Sequence, residues 1–160
     1  MSELEKYFKI DEKEWLNTLK PYQKNIVTEF LKDTDDYHEA AEKWLTSSPD
    51  QTAPFGTKLG KINKEQFKDK LVDEIEKFIC GDPKYESERN DLLSQADLTQ
   101  TAIVSSVSSA IAPVIGTSAP FLIPVVVLVF MVISKISKNA WCEARKENRA
   151  KHNQANQADG

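Results

Sequence analysis

The sequence predicts an all-α protein, an amphipathic helical bundle with a central or C-terminal hydrophobic helical hairpin. Apolar residues recur at helical spacing through residues 1–96. A tract of about 37 residues without any charge then separates Asp97 from Lys135. The chain has 160 residues, of which 40% are hydrophobic and 29% charged, enough for one folded domain. We therefore expect an amphipathic helical region over 1–96, a hairpin with a basic flanking helix over 98–150, and a disordered tail over 151–160.

Short amphipathic helices are predicted for residues 2–46. Ser2 with Glu5, and Asp11 with Glu14, have the spacing of a helix N-terminal capping box, and Pro21 suits the first turn of a further helix. The apolar residues expected to face the core of the later helices are Ile26, Val27, Phe30, Leu31, Ala40, Ala41, Trp44 and Leu45. Residues 46–62 are rich in Pro, Gly and Ser and predict a loop that is long for a compact domain.

A well-defined amphipathic helix is predicted to open at Asn63, with Gln66 three residues later. Gly81 and Pro83 should end it, because glycine accepts the left-handed conformation at a helix C-terminus and proline cannot continue the helix. A polar helix over about 84–96 should follow. Cys80 and Cys142 lie far apart without the spacing of a zinc site, so we expect unpaired thiols and a reducing compartment.

The charge-free tract divides into two arms. Leu98–Ile115 is rich in Ala and Ser, 116–120 reads as a turn, and Phe121–Ile133 is almost continuously apolar. Arms of about 17 residues would each be about 26 Å long as helices, close to the roughly 30 Å hydrocarbon core of a bilayer. The residues expected to contact lipid are Ile103, Val107, Ile111, Phe121, Leu122, Val125, Val127, Leu128, Phe130, Met131 and Ile133. The expected interfacial anchors are Lys135, Lys138, Trp141 and Arg145.

Two other interpretations of the tract remain open. The densest run, Phe121–Ile133, has only about 13 residues, a length typical of a buried core helix, and Pro113 and Pro124 would interrupt the arms. The amphipathic helices could then wrap the hairpin as the centre of a soluble bundle. The β-branched run Val125–Val129 could also form a strand, although no partner strands are evident.

The function predicted from these features is non-enzymatic. The hairpin would insert into or perturb a bilayer as a toxin-like or defence effector, under control of the N-terminal helices, which would bind a protein partner or self-associate. The plan is similar to that of pore-forming colicins and Bcl-2-type proteins in this respect alone. The alternative is a soluble helical adaptor or immunity-type binding module whose hairpin is its buried core.

The sequence also argues against several other classes of protein. No catalytic, metal-binding or cofactor-binding pattern is present, and the net charge of −4 argues against a nucleic-acid partner. The N-terminus lacks the apolar segment of a secretory signal, so we expect a cytoplasmic protein that moves to, or is anchored at, the cytoplasmic face of a membrane.

Overall fold

The computed structural model describes the backbone of residues 4–47 and 64–159, and the side chains of 4–46 and 67–151. Within those residues the chain is all-helical, with no strand, which confirms the predicted fold class. The α-helices are α1 (Pro21–Asp33), α2 (Tyr37–Ser47), α3 (Lys64–Cys80), α4 (Glu86–Leu93), α5 (Gln100–Ile115), α6 (Ala119–Ile136) and α7 (Lys138–Asp159). Short 3₁₀ helices cover Glu5–Phe8, Glu12–Thr18 and Pro83–Tyr85.

The helix boundaries follow the local chemistry of the chain. The Asp11 carboxylate accepts a hydrogen bond from the Lys13 N–H, although the helix that it caps is 3₁₀ rather than α. Pro21 opens α1, as predicted. Gly81 ends α3 with φ +97°, where a side chain would be strained. The predicted cap at Ser2, most of the predicted loop over 46–62, and the start of the next helix at Asn63 lie outside the described residues.

Helix α6 occupies the centre of the molecule. It packs against α5, α2 and α7 and against the first two 3₁₀ helices, while α3 packs against α2, α5 and α7. The elements around the hairpin, namely the 3₁₀ helices with α1–α4 and α7, are called the sheath below. Their apolar faces are buried and their other faces are polar, because an amphipathic helix gains stability by covering one stripe of its surface. The possible strand over Val125–Val129 is helical.

The two cysteines form a disulfide, so the expectation of unpaired thiols was wrong. Cys80 ends α3 and Cys142 lies in the second turn of α7, and their Cα atoms are 5.9 Å apart. The expectation failed because it judged the cysteines by their distance along the chain. Packing of α3 against α7 brings residues 62 positions apart into contact.

The C-terminal helix differs in length from the prediction. The backbone of α7 continues as helix to Asp159, where the sequence predicts a disordered tail from 151. Alanine, glutamine and lysine in this stretch are good helix formers, and the prediction gave that propensity too little weight.

Candidate functional site

The predicted hairpin is formed by α5 and α6, which pack closely against each other. The Thr99 hydroxyl caps α5 by accepting a hydrogen bond from the Ala102 N–H at 3.1 Å. Gly116 ends α5 in the left-handed conformation, with φ 92°, and its N–H donates to the Ala112 carbonyl at 2.8 Å. Helix α6 begins three residues later, at Ala119, so the turn is tight. The helices would be about 24 Å and 27 Å long.

The residues predicted to contact lipid are all buried inside the protein. None of the eleven is more than 1% exposed, whether on α5 (Ile103, Val107, Ile111) or on α6 (Phe121, Leu122, Val125, Val127, Leu128, Phe130, Met131, Ile133). In this state most of α6 is enclosed by protein, although Ile123 and Val132 are half-buried and Ile136, in its last turn, is exposed. A helix that is apolar all round needs such an environment, and the sheath supplies it.

The start of α6 is fixed to the sheath where proline interrupts its hydrogen bonding. Pro124 has no N–H, so the Pro120 carbonyl, four residues earlier, loses its helical donor. The buried Gln23 side chain of α1 replaces that donor, with Nε2 donating to the Pro120 carbonyl at 3.2 Å. The Trp44 indole of α2 donates to the next carbonyl, Phe121, at 2.9 Å. Two sheath helices, α1 and α2, therefore donate hydrogen bonds to backbone carbonyls at the N-terminal end of α6.

The other end of α6 is held by an aromatic cluster. The rings of Phe8, Trp15 and Phe130 lie with centroids 5.0 to 5.3 Å apart, two of the pairs edge-on. The Trp15 indole also donates a hydrogen bond to the Ser134 hydroxyl at 2.7 Å. Side chains from the 3₁₀ helices thus hold α6 near its last turn.

The solvent-exposed face of the hairpin carries no charge before the last turn of α6. The exposed residues from the start of α5 to the start of α6 are Thr101, Ser105, Ser109, Pro113, Val114, Gly116, Ser118 and Pro120. Burial cannot explain the lack of charge at these positions, because they already face water. The next charged side chain is Lys135, in the last turn of α6.

The sheath differs in this respect. Each of its described helices presents at least one charged side chain to solvent: Lys6 and Lys13 on the first two 3₁₀ helices, Lys24 on α1, Glu39 on α2, Asp69 on α3, Lys84 on the third 3₁₀ helix, Glu86 on α4 and Lys146 on α7. Charged side chains on outer faces are the normal condition of a soluble helix. The hairpin is therefore distinct in composition at exposed as well as buried positions.

The four predicted interfacial anchors have different surroundings. Lys135 is exposed, with its ammonium 5.9 Å from the centre of the Tyr37 ring, and Lys138 is half-buried at the start of α7. Trp141 is buried in the core. Arg145 forms ion pairs with carboxylates of α3. In this state only Lys135 is freely available to a membrane surface.

Ion pairs join α3 to α7 beside the disulfide. Arg145 pairs with Asp73 and with Glu76, the latter at 2.7 Å, and Arg149 also pairs with Glu76. The Glu76 side chain is only 5% exposed, and the two arginines are the ion-pair partners of its carboxylate. The basic flank predicted after the hairpin is therefore used partly within the protein.

A second buried carboxylate, Glu74, lies on the same helix. Burial would raise its pKa, but hydrogen bonds from Lys84, Tyr85 and Lys77 outweigh burial and lower the pKa to about 2. The Lys84 ammonium lies at 2.7 Å and the Tyr85 hydroxyl at 2.6 Å. Burial and the Glu74 carboxylate in turn raise the pKa of Tyr85. This network ties α3 to the third 3₁₀ helix.

Comparison with known proteins adds no family to this description. Neither the protein-family models, nor the curated proteins, nor the solved structures contain a match to the chain. Among the described helices, α6 is long and apolar enough to cross a membrane, and α5 is a shorter apolar helix. A buried core helix meets the same criterion, so this alone does not separate the two interpretations of the tract.

Sequence reasoning missed the residues that close the sheath over the hairpin. No role was predicted for Gln23 or Trp15, and Trp44 was predicted only to face the core. Pro124 was the feature of the sequence that could have indicated these contacts. A proline inside a predicted buried helix leaves a carbonyl without its donor and requires a replacement from elsewhere.

Proposed function

We propose that the protein is a non-enzymatic, membrane-engaging helical protein whose α5–α6 hairpin leaves the sheath and enters a bilayer. The observation that supports this most is the uncharged outer face of α5. A hairpin that stayed in a soluble protein would have no need to exclude charge from Ser105, Ser109 and their exposed neighbours. A hairpin that enters lipid must exclude it, since a charge at the centre of a membrane helix costs about 2.5–3.5 kcal/mol.

The exchange between the two environments is physically reasonable for the hairpin. Its backbone hydrogen bonds are satisfied within its own helices, apart from the carbonyls beside Pro124 and Pro113, and its apolar side chains are satisfied equally by protein or by lipid. The small residues of α5 let α6 approach closely in either environment.

The apolar faces of the sheath helices would also be buried after the hairpin leaves. Each has an apolar stripe that is now buried against the hairpin or its neighbours, as at Val27 of α1 and Trp44 of α2. Amphipathic helices of this kind can lie in the interface of a membrane with that stripe facing the acyl chains. Release of the hairpin and binding of the sheath to the surface would then occur together.

The test uses arginine at two exposed positions. Ser109 lies near the middle of α5 and Asn25 lies on the outer face of α1. Arginine should be tolerated at both in the closed state, because both side chains face water. We expect the wild-type protein to float with liposomes and release their contents, S109R to partition roughly 50- to 300-fold less well, and N25R to behave as wild type.

The assay needs conditions that let the sheath open. Vesicles of zwitterionic and of anionic lipid are used at pH 7.5 and 4.5, with and without a reductant for the disulfide. Equal flotation of S109R and wild type would show that the protein attaches through the outside of the sheath. Absence of binding under every condition would exclude the proposal.

The second candidate function is a soluble helical adaptor or immunity-type binding module with the hairpin as its core. The hydrogen bonds that close α6 at both ends favour it, because Gln23, Trp44 and Trp15 fix the buried helix as in a permanent core. This candidate predicts no flotation by any variant, and a gel-filtration peak that lipid does not change.

We propose a cytoplasmic location, at the inner face of a membrane. The Cys80–Cys142 disulfide weighs against it, because disulfides are rare in the reducing cytosol and persist in oxidising compartments. Alkylation of the protein at the moment of cell lysis tests the location: two free thiols would support it, and none would place the protein in an oxidising compartment.

A further inference from the structure

The junction between α6 and α7 is a bend that the local sequence does not require. From Val125 to Asp159 the chain contains neither proline nor glycine, and every residue of this stretch is helical except Ser137. Sharp bends in helices usually occur at proline or glycine. Because neither is present, contacts of α7 with the rest of the protein must hold the bend.

Ser137 holds the bend in a strained backbone conformation. Its φ of 119° with ψ of 154° lies in a region that only glycine adopts readily, and in the described part of the chain no other residue except glycine has a positive φ. The Ser137 hydroxyl accepts a hydrogen bond from the Ala140 N–H at 3.1 Å and so caps α7. A straight helix would relieve the strain and would offer the first N–H groups of α7 the carbonyls of residues 134–136.

Helix α7 is attached to the rest of the protein through few of its side chains. Among residues 138–151, Trp141 alone is buried and ten are exposed. The ion pairs that join Arg145 and Arg149 to α3 are partly exposed on the arginine side, where water weakens such pairs. The Cys80–Cys142 disulfide is the covalent link between α3 and α7, and it lies five residues after the bend.

The disulfide lies where a small reductant can approach it. Both cysteines are half-buried, and Cys80 lines two half-open cavities of about 560 and 400 Å³. A thiolate of a dithiol reductant attacks one sulfur, which forms a mixed disulfide and releases the other cysteine as a thiolate. The second thiol of the reductant then attacks the mixed disulfide. The two protons and two electrons of the dithiol end on the two cysteine thiols, and the reductant leaves as its own disulfide.

We propose that reduction of the Cys80–Cys142 disulfide releases α7 from α3 and lets α6 and α7 join as one straight helix through Ser137. In the oxidised protein the disulfide fixes α7 against α3 and keeps Ser137 strained. In the reduced protein only Trp141 and the ion pairs oppose its relaxation. The disulfide is then a redox-sensitive switch within the sheath. This change does not depend on membrane engagement, because it takes place within the protein and is measured without lipid.

The experiment measures the distance between spin labels on α3 and α7 of the full-length protein. The exposed residues are changed by Lys70→Cys and Glu147→Cys and labelled through thioether bonds while the native cysteines remain in their disulfide. Double electron–electron resonance is recorded before and after addition of dithiothreitol. We expect a second distance after reduction, longer by about 10 Å or more, because residue 147 lies about 15 Å along α7 from the bend.

The matched control places the second label on α1, by Asn25→Cys, instead of on α7. The distance from 70 to 25 should change little on reduction, because α1 and α3 both stay in the core. An unchanged distance from 70 to 147 would overturn the proposal. Equal broadening of both distances would also overturn it, since reduction would then unfold the protein as a whole.

Two substitutions at Ser137 test the bend in the reduced, labelled protein. Ser137→Gly removes the strain of the bent form and disfavours the straight helix, so the ratio of straight to bent molecules should fall at least about fivefold. Ser137→Ala keeps the strain but loses the hydroxyl cap, so the ratio should rise at least about twofold. A ratio that S137G leaves unchanged or raises would overturn the role of Ser137. Membrane flotation by the wild type is a separate result and does not bear on these distances.

Discussion

The hairpin and the sheath are both helical, both contribute to one core, and differ in what they present to water. The sheath exposes charged residues on every described helix, whereas the hairpin exposes only Ser, Thr, Gly, Pro and Val from the start of α5 to the start of α6. Folding in water accounts for the buried faces of both regions. It does not account for the uncharged outer face of α5, and that difference is what points to a second environment.

The largest effect is expected from a charge on the inner face of the hairpin. Val127 is fully enclosed at the centre of α6, so arginine there would leave an unpaired charge in the core. V127R should lose more than about 4 kcal/mol of unfolding free energy, while S109R on the outer face should stay within about 0.5 kcal/mol. Urea denaturation followed by tryptophan fluorescence measures both.

This contrast also limits the use of V127R as a probe of membrane insertion. Because the substitution unfolds the soluble form, reduced flotation by V127R would not identify the inserted region. Similar stability losses for V127R and S109R would show instead that α5 has no free outer face.

The next effect is the loss of stability in acid. It should arise from the sheath alone, because the hairpin has no titrating group between Asp97 and Lys135. The pKa of Glu74 is lowered from 4.5 to about 2, so its ionised form stabilises the fold above about pH 4.5, and that stability is lost as the pH falls towards 2. Glu74→Gln should cost roughly 2–3 kcal/mol at neutral pH and flatten the pH dependence of stability over that window.

The control for this prediction is Glu88→Gln, which removes an exposed carboxylate from α4. It should change stability by less than about 0.5 kcal/mol. If E74Q keeps the acid sensitivity of the wild type, then Glu74 does not determine it.

The smallest effect is expected from loss of the Gln23 hydrogen bond at the N-terminal end of α6. Gln23→Leu leaves the Pro120 carbonyl without a donor and should cost about 1–3 kcal/mol. Pro124→Ala restores an N–H four residues after that carbonyl, so in its presence Q23L should cost at least about 1 kcal/mol less. Loss of the Gln23 contact to the Lys20 N–H is common to both backgrounds and cancels.

A double-mutant cycle by urea denaturation gives the interaction energy directly. Equal costs of Q23L in the two backgrounds would mean that Gln23 stabilises only its own helix. The helix α6 would then be held to α1 by packing alone.

The sequence predicted the parts of this structure that depend on local pattern. Helical spacing identified the buried faces of α1 and α2, Gly81 marked the end of α3, and the loss of charge after Asp97 marked the hairpin. The distinction between 3₁₀ and α-helix in the first 18 residues was not predicted, because tertiary packing of Phe8 and Trp15 outweighs local preference there.

What sequence reasoning missed depends on contacts between distant residues. The Cys80–Cys142 disulfide and the Trp44 hydrogen bond to the Phe121 carbonyl both need the relative placement of helices. Spacing along the chain carries no information about such placement. The uncharged face of α5 was visible as composition, but only the fold showed that those positions face solvent.

The most direct test of the hairpin's second environment is the surroundings of a label at Ser109. Both native cysteines are in the disulfide, so a cysteine introduced at Ser109 or at Asn25 can carry an environment-sensitive fluorophore. On vesicles we expect the label at 109 to brighten and to be quenched by brominated acyl chains, while the label at 25 changes little. A label at 109 that stays in water on vesicle-bound protein would contradict insertion of the hairpin.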